Sequence, residues 1–181
     1  MNKSNLMIFL FALLVVMLSA QKTSFTEPRI EKRGEFHVMG LQLKDSLDGA
    51  KLTQLWIDYY RLNAKIPEPV YGVEYGIKYF GKDFDPATMK GFYYLVGSEV
   101  KSLGKTPEPL NAHTVPSATY LVFEHRGSIA DINHTYSHIF NHWFPKSKYK
   151  PAPQDVFEKY DARYKLGAAD SLLEIWVPIS L

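Results

Sequence analysis

Two short segments of this 181-residue chain set a carboxylate close to aromatic rings at the spacing of a β-strand. Near the C-terminus, Leu173, Ile175 and Val177 alternate with Glu174, Trp176 and Pro178. The first three fall on one face of a strand and the second three on the other. Upstream, Val156-Phe157-Glu158-Lys159-Tyr160-Asp161 sets Glu158 two residues from Tyr160. Aromatic rings offer apolar area and a face that attracts cations. A carboxylate partly withdrawn from water requires a positive partner. Together the two suit a flat organic cation.

The composition permits such a site. Hydrophobic residues make up 46% of the chain and charged residues 22%, a globular balance at a one-domain length. Aromatics reach 14%, with 12 Tyr and 11 Phe, enough to fill a core and also to line a cleft. A formal charge of +2, with Lys and Arg scattered, gives no electrostatic footprint for nucleic acid. The absence of cysteine excludes disulfides, thiolate metal sites and a cysteine nucleophile. There is no glycine-rich phosphate loop, and no cofactor is expected.

The N-terminus carries a different message. Lys3 precedes an apolar run from Leu6 to Leu18, followed by Ser19-Ala20. A basic start, a short apolar core and small residues at its end form the pattern of a secretory signal peptide. The run is short of the roughly 20 residues that cross a bilayer, so an uncleaved anchor is the alternative. Residues 1–20 are therefore expected to be a signal peptide or anchor, 21–34 a linker, and 35–181 the folded domain. A periplasmic or secreted protein follows; the alternative, an uncleaved segment, would attach it to the membrane through the N-terminal segment alone.

Two similar halves must position the chemistry. In the first, Phe36 to Leu43 reads as a strand. Asp48 caps a helix whose Leu52, Leu55, Trp56 and Tyr59 share one face, and Ile66-Pro67 ends it. Val70 to Ile77 and Gly91 to Val100 read as strands joined by a loop with Gly81, Asp83 and Pro86. In the second half, Ala118 to His125 reads as a strand. A helix bearing Tyr136, Ile139, Phe140 and Trp143 follows at the same spacing, and Asp155 to Asp161 and Leu172 to Ile179 read as strands. Each half is β-α-β-β, joined through Gly104 to Pro116. An α+β fold is expected, an antiparallel sheet with both helices on one face, because each helix has one apolar stripe to bury.

The spacing W-x-P-x-S-x-Y from Trp143 to Tyr149, then F-E-x-Y at Phe157 to Tyr160 and the terminal Glu174 to Ile179, resembles the GyrI-like (AraC-type effector-binding) family. The resemblance runs from about Phe36 to the C-terminus. It implies duplicated halves and a ligand cleft between them, placed here on the sheet face away from the helices. It also implies a buried glutamate that receives lipophilic cations, for which Glu174 is the candidate and Glu158 the second choice. Glu158 could equally orient Tyr160 or sit on an edge strand. Aligning Val96-Gly97 with Val177-Pro178 brings Tyr93 to the face of Trp176. The strand from Ala118 offers Tyr120 and Val122 to that face, or Leu121 and Phe123 in the opposite phase; Tyr120 is chosen. The ligand-binding set is thus Glu174, Trp176, Tyr93, Tyr120 and Glu158.

Some members of the family are hydrolases of electrophilic molecules. Glu174 as general base, with Tyr93 or Tyr120 as proton donor, is the corresponding alternative. A haem or tetrapyrrole binder is a third, since a related duplicated fold binds haem. His134, His138 and His142 recur every four residues, but opposite the expected apolar stripe, so they read as a solvated face and not a metal clip. His125, before Arg126-Gly127, reads as a turn element.

Overall fold

The computed structural model describes residues 25–85, 87–88 and 90–180. The leader expected over residues 1–20, and the start of the linker, lie outside the described residues. Among the described residues no helix is long and apolar enough to cross a membrane.

The strands are β1 (Arg29–Arg33), β2 (Phe36–Lys44), β3 (Pro69–Asp85), β4 (Lys90–Val100), β5 (Asn111–Val115), β6 (Ala118–Arg126), β7 (Lys150–Pro151), β8 (Val156–Tyr160) and β9 (Leu172–Ser180). They form one antiparallel sheet in the order β1-β6-β9-β8-β3-β4-β2-β5, with β7 added on β9. The linker expectation is corrected here: Arg29–Arg33 pairs with Val122 to Ala118 as an edge strand. Strand β3 also runs through Gly81 and Asp83, where a loop was expected.

The repeat is visible in this order. The second half contributes β6-β9-β8 and the first contributes β3-β4-β2, mirrored about the β8–β3 seam. Five pairs make the seam, and Gly76↔Glu158 is the middle one. Because Gly76 also pairs with Val96 and Glu158 with Ile175, Val96 is the counterpart of Ile175. The expected alignment was two residues off, an even slip that leaves the faces of the strands unchanged.

Helix α1 (Gly49–Leu62) starts where predicted, with Lys51 N–H donating to Asp48 Oδ1 at 2.9 Å. Helix α2 (Ile132–Ser137) continues into a π-helical segment, His138–Trp143. Its wider turn is closed by Phe144 N–H on Ile139 O, five residues back. That extra residue rotates the face. Ile139 and Phe144 are buried, and Phe140, expected in the stripe, is 39% exposed.

Both helices cover one side of the sheet. Leu52, Leu55 and Trp56 pack on Met39, Phe92, Tyr94 and Val96, while Tyr136, Ile139 and Trp143 pack on Leu121, Phe123, Leu173 and Ile175. Trp56 touches both clusters. The opposite side is not an open cleft. Strand β5, at one end of the sheet, is joined to β6, next to the other end, by Pro116-Ser117 alone. Two residues cannot reach across a flat sheet of eight strands spaced about 4.8 Å apart, so the sheet curls on itself. Its inner face is a closed core of Phe36, Val38, Tyr75, Ile77, Leu95, Tyr120, Val122, Phe157 and Trp176.

Candidate functional site

The seam between the halves carries a cage around Glu158. Its side chain points to the helix side of the sheet and is 4% exposed. Tyr94 of β4 donates to Oε2 at 2.7 Å, and Tyr160, two residues along β8, donates to the same atom at 3.0 Å. Tyr136 of α2 donates to Oε1 at 2.8 Å. The Lys78 ammonium, from β3, also donates to Oε1 and lies 2.5 Å from the Tyr136 hydroxyl. Trp56 of α1 closes the group edge-on to Tyr160, with ring centroids 4.8 Å apart.

Local sequence explains why the cage can form. Strand alternation brings Gly76 and Lys78 of β3 to the helix side with Glu158 and Tyr160 of β8. A Cβ at Gly76 would lie 2.2 Å from the Tyr94 hydroxyl oxygen and 2.7 Å from Glu158 Oε2. The missing side chain is what lets carboxylate and phenol meet over the seam.

Burial pushes the Glu158 carboxyl upward, but the Lys78 charge and the hydroxyls of Tyr94 and Tyr136 outweigh it and hold the group below its ordinary value. Burial, then the Glu158 charge, raises Tyr94, Tyr136 and Tyr160 well above the usual phenol range. The three phenols therefore stay neutral donors and the carboxylate stays ionised, a fixed negative point in an aromatic wall.

Glu174 occupies a different setting, on the other face. It is 2% exposed and takes Arg163 Nη2 at 2.6 Å, Arg29 Nη2 at 2.9 Å and Trp176 Nε1 at 3.0 Å, with Lys159 Nζ at 3.7 Å. Burial raises this carboxyl, and these donors bring it below the ordinary range. Its positive partners are thus supplied by the chain.

The structure does not assemble the expected ligand set. Trp176 and Tyr120 are 6% and 0% exposed and pack edge to face at 5.6 Å in the closed core, because the sheet curls over them. Tyr93 stacks on Tyr79 at 5.0 Å farther along that face, and Tyr79 stacks on His113. Glu158 is separated from all four by the sheet itself. Sequence reading missed Lys78, Tyr94, Tyr136 as a polar contact, and Gly76. Trp56 and Tyr136 were visible only as core residues. The signal that could have found them was the strand phase of Gly76-Ile77-Lys78 against Phe157-Glu158.

Two surface hollows lie elsewhere. One of about 170 Å³ is bordered by Asn63, Ile66, Tyr71, Glu74 and Ser98, and one of about 480 Å³ by Phe25, Glu27, His138, His142 and Trp143. Neither includes Glu158 or its tyrosines. His134 and His142 are exposed and His138 stacks on Phe25 at 3.7 Å. Among the described residues, no three His, Cys, Asp or Glu side chains gather as metal ligands. His125 is a turn fastener, bonded to Thr135 Oγ1 at 2.7 Å and Ser128 O at 2.9 Å.

Duplicated halves, two helices over one sheet face and a carboxylate caged at the seam define an α+β effector-binding domain of the GyrI-like class. The chain belongs to the family described as Cass2, integron-associated effector binding protein, which it matches over residues 29–179. It is thus a small-molecule-binding domain. It is 29% identical over 158 residues to the transcriptional regulator BrlR of Pseudomonas aeruginosa, covering 83% of this chain and 54% of that protein. The chain therefore spans about half the length of this curated relative. It shares its fold with SAV2435 bound to tetraphenylphosphonium, at a TM-score of 0.64 and 14% identity over 86% of this chain and 94% of the other. An integron cassette protein of Vibrio cholerae gives 0.57 and 21% over 86% and 97%.

Proposed function

We propose that this protein captures aromatic, cationic lipophilic molecules between α1 and α2, over the Glu158 cage. One observation carries the reading: a single buried carboxylate receives tyrosine hydroxyls from both halves and is flanked by Trp56 and Tyr136. A weakly hydrated organic cation gains a desolvated carboxylate and several ring faces there at once. SAV2435, which shares the fold, is bound to a compound of this class. Binding is favoured over hydrolysis because Lys78 lowers the proton affinity of Glu158 and makes it a poor general base.

We also read the protein as exported, to the periplasm or beyond, with an uncleaved anchor as the alternative. Lys3, the apolar run Leu6 to Leu18 and Ser19-Ala20 support this. The low net charge and scattered basic residues support a role without a nucleic-acid partner.

The test is a tryptophan-fluorescence titration of the full chain with tetraphenylphosphonium and other lipophilic cations. Saturable quenching is expected, lost in Glu158→Gln and much reduced in Trp56→Phe. Flat titrations across the panel, or equal affinity in Glu158→Gln, would remove the cage from the binding site.

A further inference from the structure

We propose that Lys78 is a tethered stand-in for the ligand's positive charge, filling the cation position of the cage until an organic cation displaces it. The inference rests on the reading of the Glu158 cage as a cation site and names how that site selects. The Lys78 ammonium already makes the contacts such a ligand would make. It is hydrogen-bonded to Glu158 Oε1, and it lies 4.1 Å from the Tyr136 ring centroid and 5.5 Å from that of Tyr94. One carboxylate and two ring faces surround one cation.

The position of Lys78 allows it to leave. It stands one pleat beyond Gly76 on β3, and in the duplication it is the counterpart of Tyr160, so the first half places a cation where the second places a phenol. Its side chain is 18% exposed against 5% for Glu158, which puts the ammonium on the solvent side of the pair. Among the described residues, Glu158 is the one carboxylate that Lys78 pairs with. A change of rotamer along its flexible stem would carry the charge into water without moving the sheet.

Exchange of one cation for another sets the selectivity. A primary ammonium is strongly hydrated, so Lys78 regains water when it is expelled. A bulky organic cation surrenders little hydration on entering and covers the rings that Lys78 leaves. A small hydrated cation gains nothing by the exchange. A neutral aromatic cannot replace the ammonium and must bind with Lys78 in place. The ligand class is therefore the bulky, weakly hydrated organic cation, and its apparent affinity is reduced by the fraction of cages that Lys78 occupies.

The experiment compares full-length wild type, Lys78→Met and Lys78→Arg at pH 8. The probes are tetraphenylphosphonium and its neutral relative triphenylphosphine oxide. Lys78→Met should bind the cation about tenfold tighter or more, with the neutral probe changed less than about twofold. Lys78→Arg, which keeps a charge in place, should bind the cation no better than wild type, and it serves if the Met variant does not fold. In Lys78→Met the groups still facing Glu158 are Tyr94, Tyr136, Tyr160 and the half-buried Tyr164, all neutral. With the lysine charge that holds Glu158 ionised gone, the variant's cation affinity should fall more steeply than that of wild type as the pH is lowered and Glu158 takes up a proton. A gain equal for both probes would make Lys78 a steric plug and overturn the proposal, as would an Arg variant that binds tenfold tighter. Cation binding by wild type that Lys78→Met does not improve would overturn it while leaving the cage as the site. No binding by any of the three proteins would overturn both.

Discussion

Glu158 and Glu174 are both buried carboxylates in aromatic surroundings, and the chain treats them differently. Glu174 meets Arg29, Arg163 and Lys159, three cations reaching in from the margin of the domain. Glu158 meets three neutral phenols and one lysine, at the seam where both halves converge. A carboxylate ringed by chain cations is a structural fastening, since a ligand's charge would find its place taken three times over. The Glu158 charge is matched by one tethered lysine beside neutral donors, so a single cation would have to be displaced there. Burial and aromatic neighbours do not separate the two cases. The count and tethering of cationic partners does.

Mutation should separate the two carboxylates, and the largest effect should come from Glu158→Gln. It removes the charge that Lys78 pairs with and turns one of the two accepting oxygens into an NH2 donor facing other donors, and should cost about 3 kcal/mol, within the range for breaking a buried pair, as well as lipophilic-cation binding. Gly76→Ala should follow, at about 2 kcal/mol, because its Cβ has no room between Tyr94 and Glu158. Both values can be read from urea unfolding. An alanine variant as stable as wild type, with intact binding, would show that the cage tolerates rearrangement. Tyr94→Phe removes one hydroxyl from the carboxylate and should cost about 1–2 kcal/mol and weaken cation binding. Glu174→Gln should be the mildest, about 1 kcal/mol, since Arg29 and Arg163 are 42% and 46% exposed and can turn to water. Its cation affinity should stay within about twofold of wild type. A large loss of binding there would reverse the roles of the two glutamates.

Acid sharpens the same contrast. Both carboxyls are lower in the folded protein than their ordinary value, so each contributes stability that is fully present above the unfolded carboxylate range. That contribution disappears as pH falls below about 4.5 and through the lowered folded values. Thermal melts from pH 6 to pH 3 should show a falling Tm, with a shallower fall in Glu158→Gln and in Glu174→Gln. Equal slopes in all three proteins would mean that neither carboxylate is responsible.

Much of the frame was legible in the chain. The helix face of Leu52, Leu55, Trp56 and Tyr59 and the Asp48 cap are local, because a 3.6-residue period and an N-cap depend on near neighbours. The alternation of Leu173 to Pro178 is equally local, and it correctly separates Glu174 and Trp176 from the helix side. The β1 strand was missed because Arg29 to Arg33 is polar and pairs only through β6, far away in sequence. The second helix face was misjudged at Phe140 because a π-turn leaves no mark in the apolar spacing.

By itself the sequence determined the α+β class, the β-α-β-β pattern of the two halves, the two faces of the last strand and the chemical types available to a site. All of these follow from short-range periodicity. The tertiary structure decided which side of the sheet is a core and which holds the cage. That choice depends on the curl of the sheet, set by the two-residue joint between β5 and β6 and by the packing of Phe36, Tyr75, Tyr120 and Trp176 inside it. It also decided which glutamate is neutralised. Ion pairing is a matter of a few ångströms between side chains 80 residues apart for Lys78 and Glu158 and 145 apart for Arg29 and Glu174.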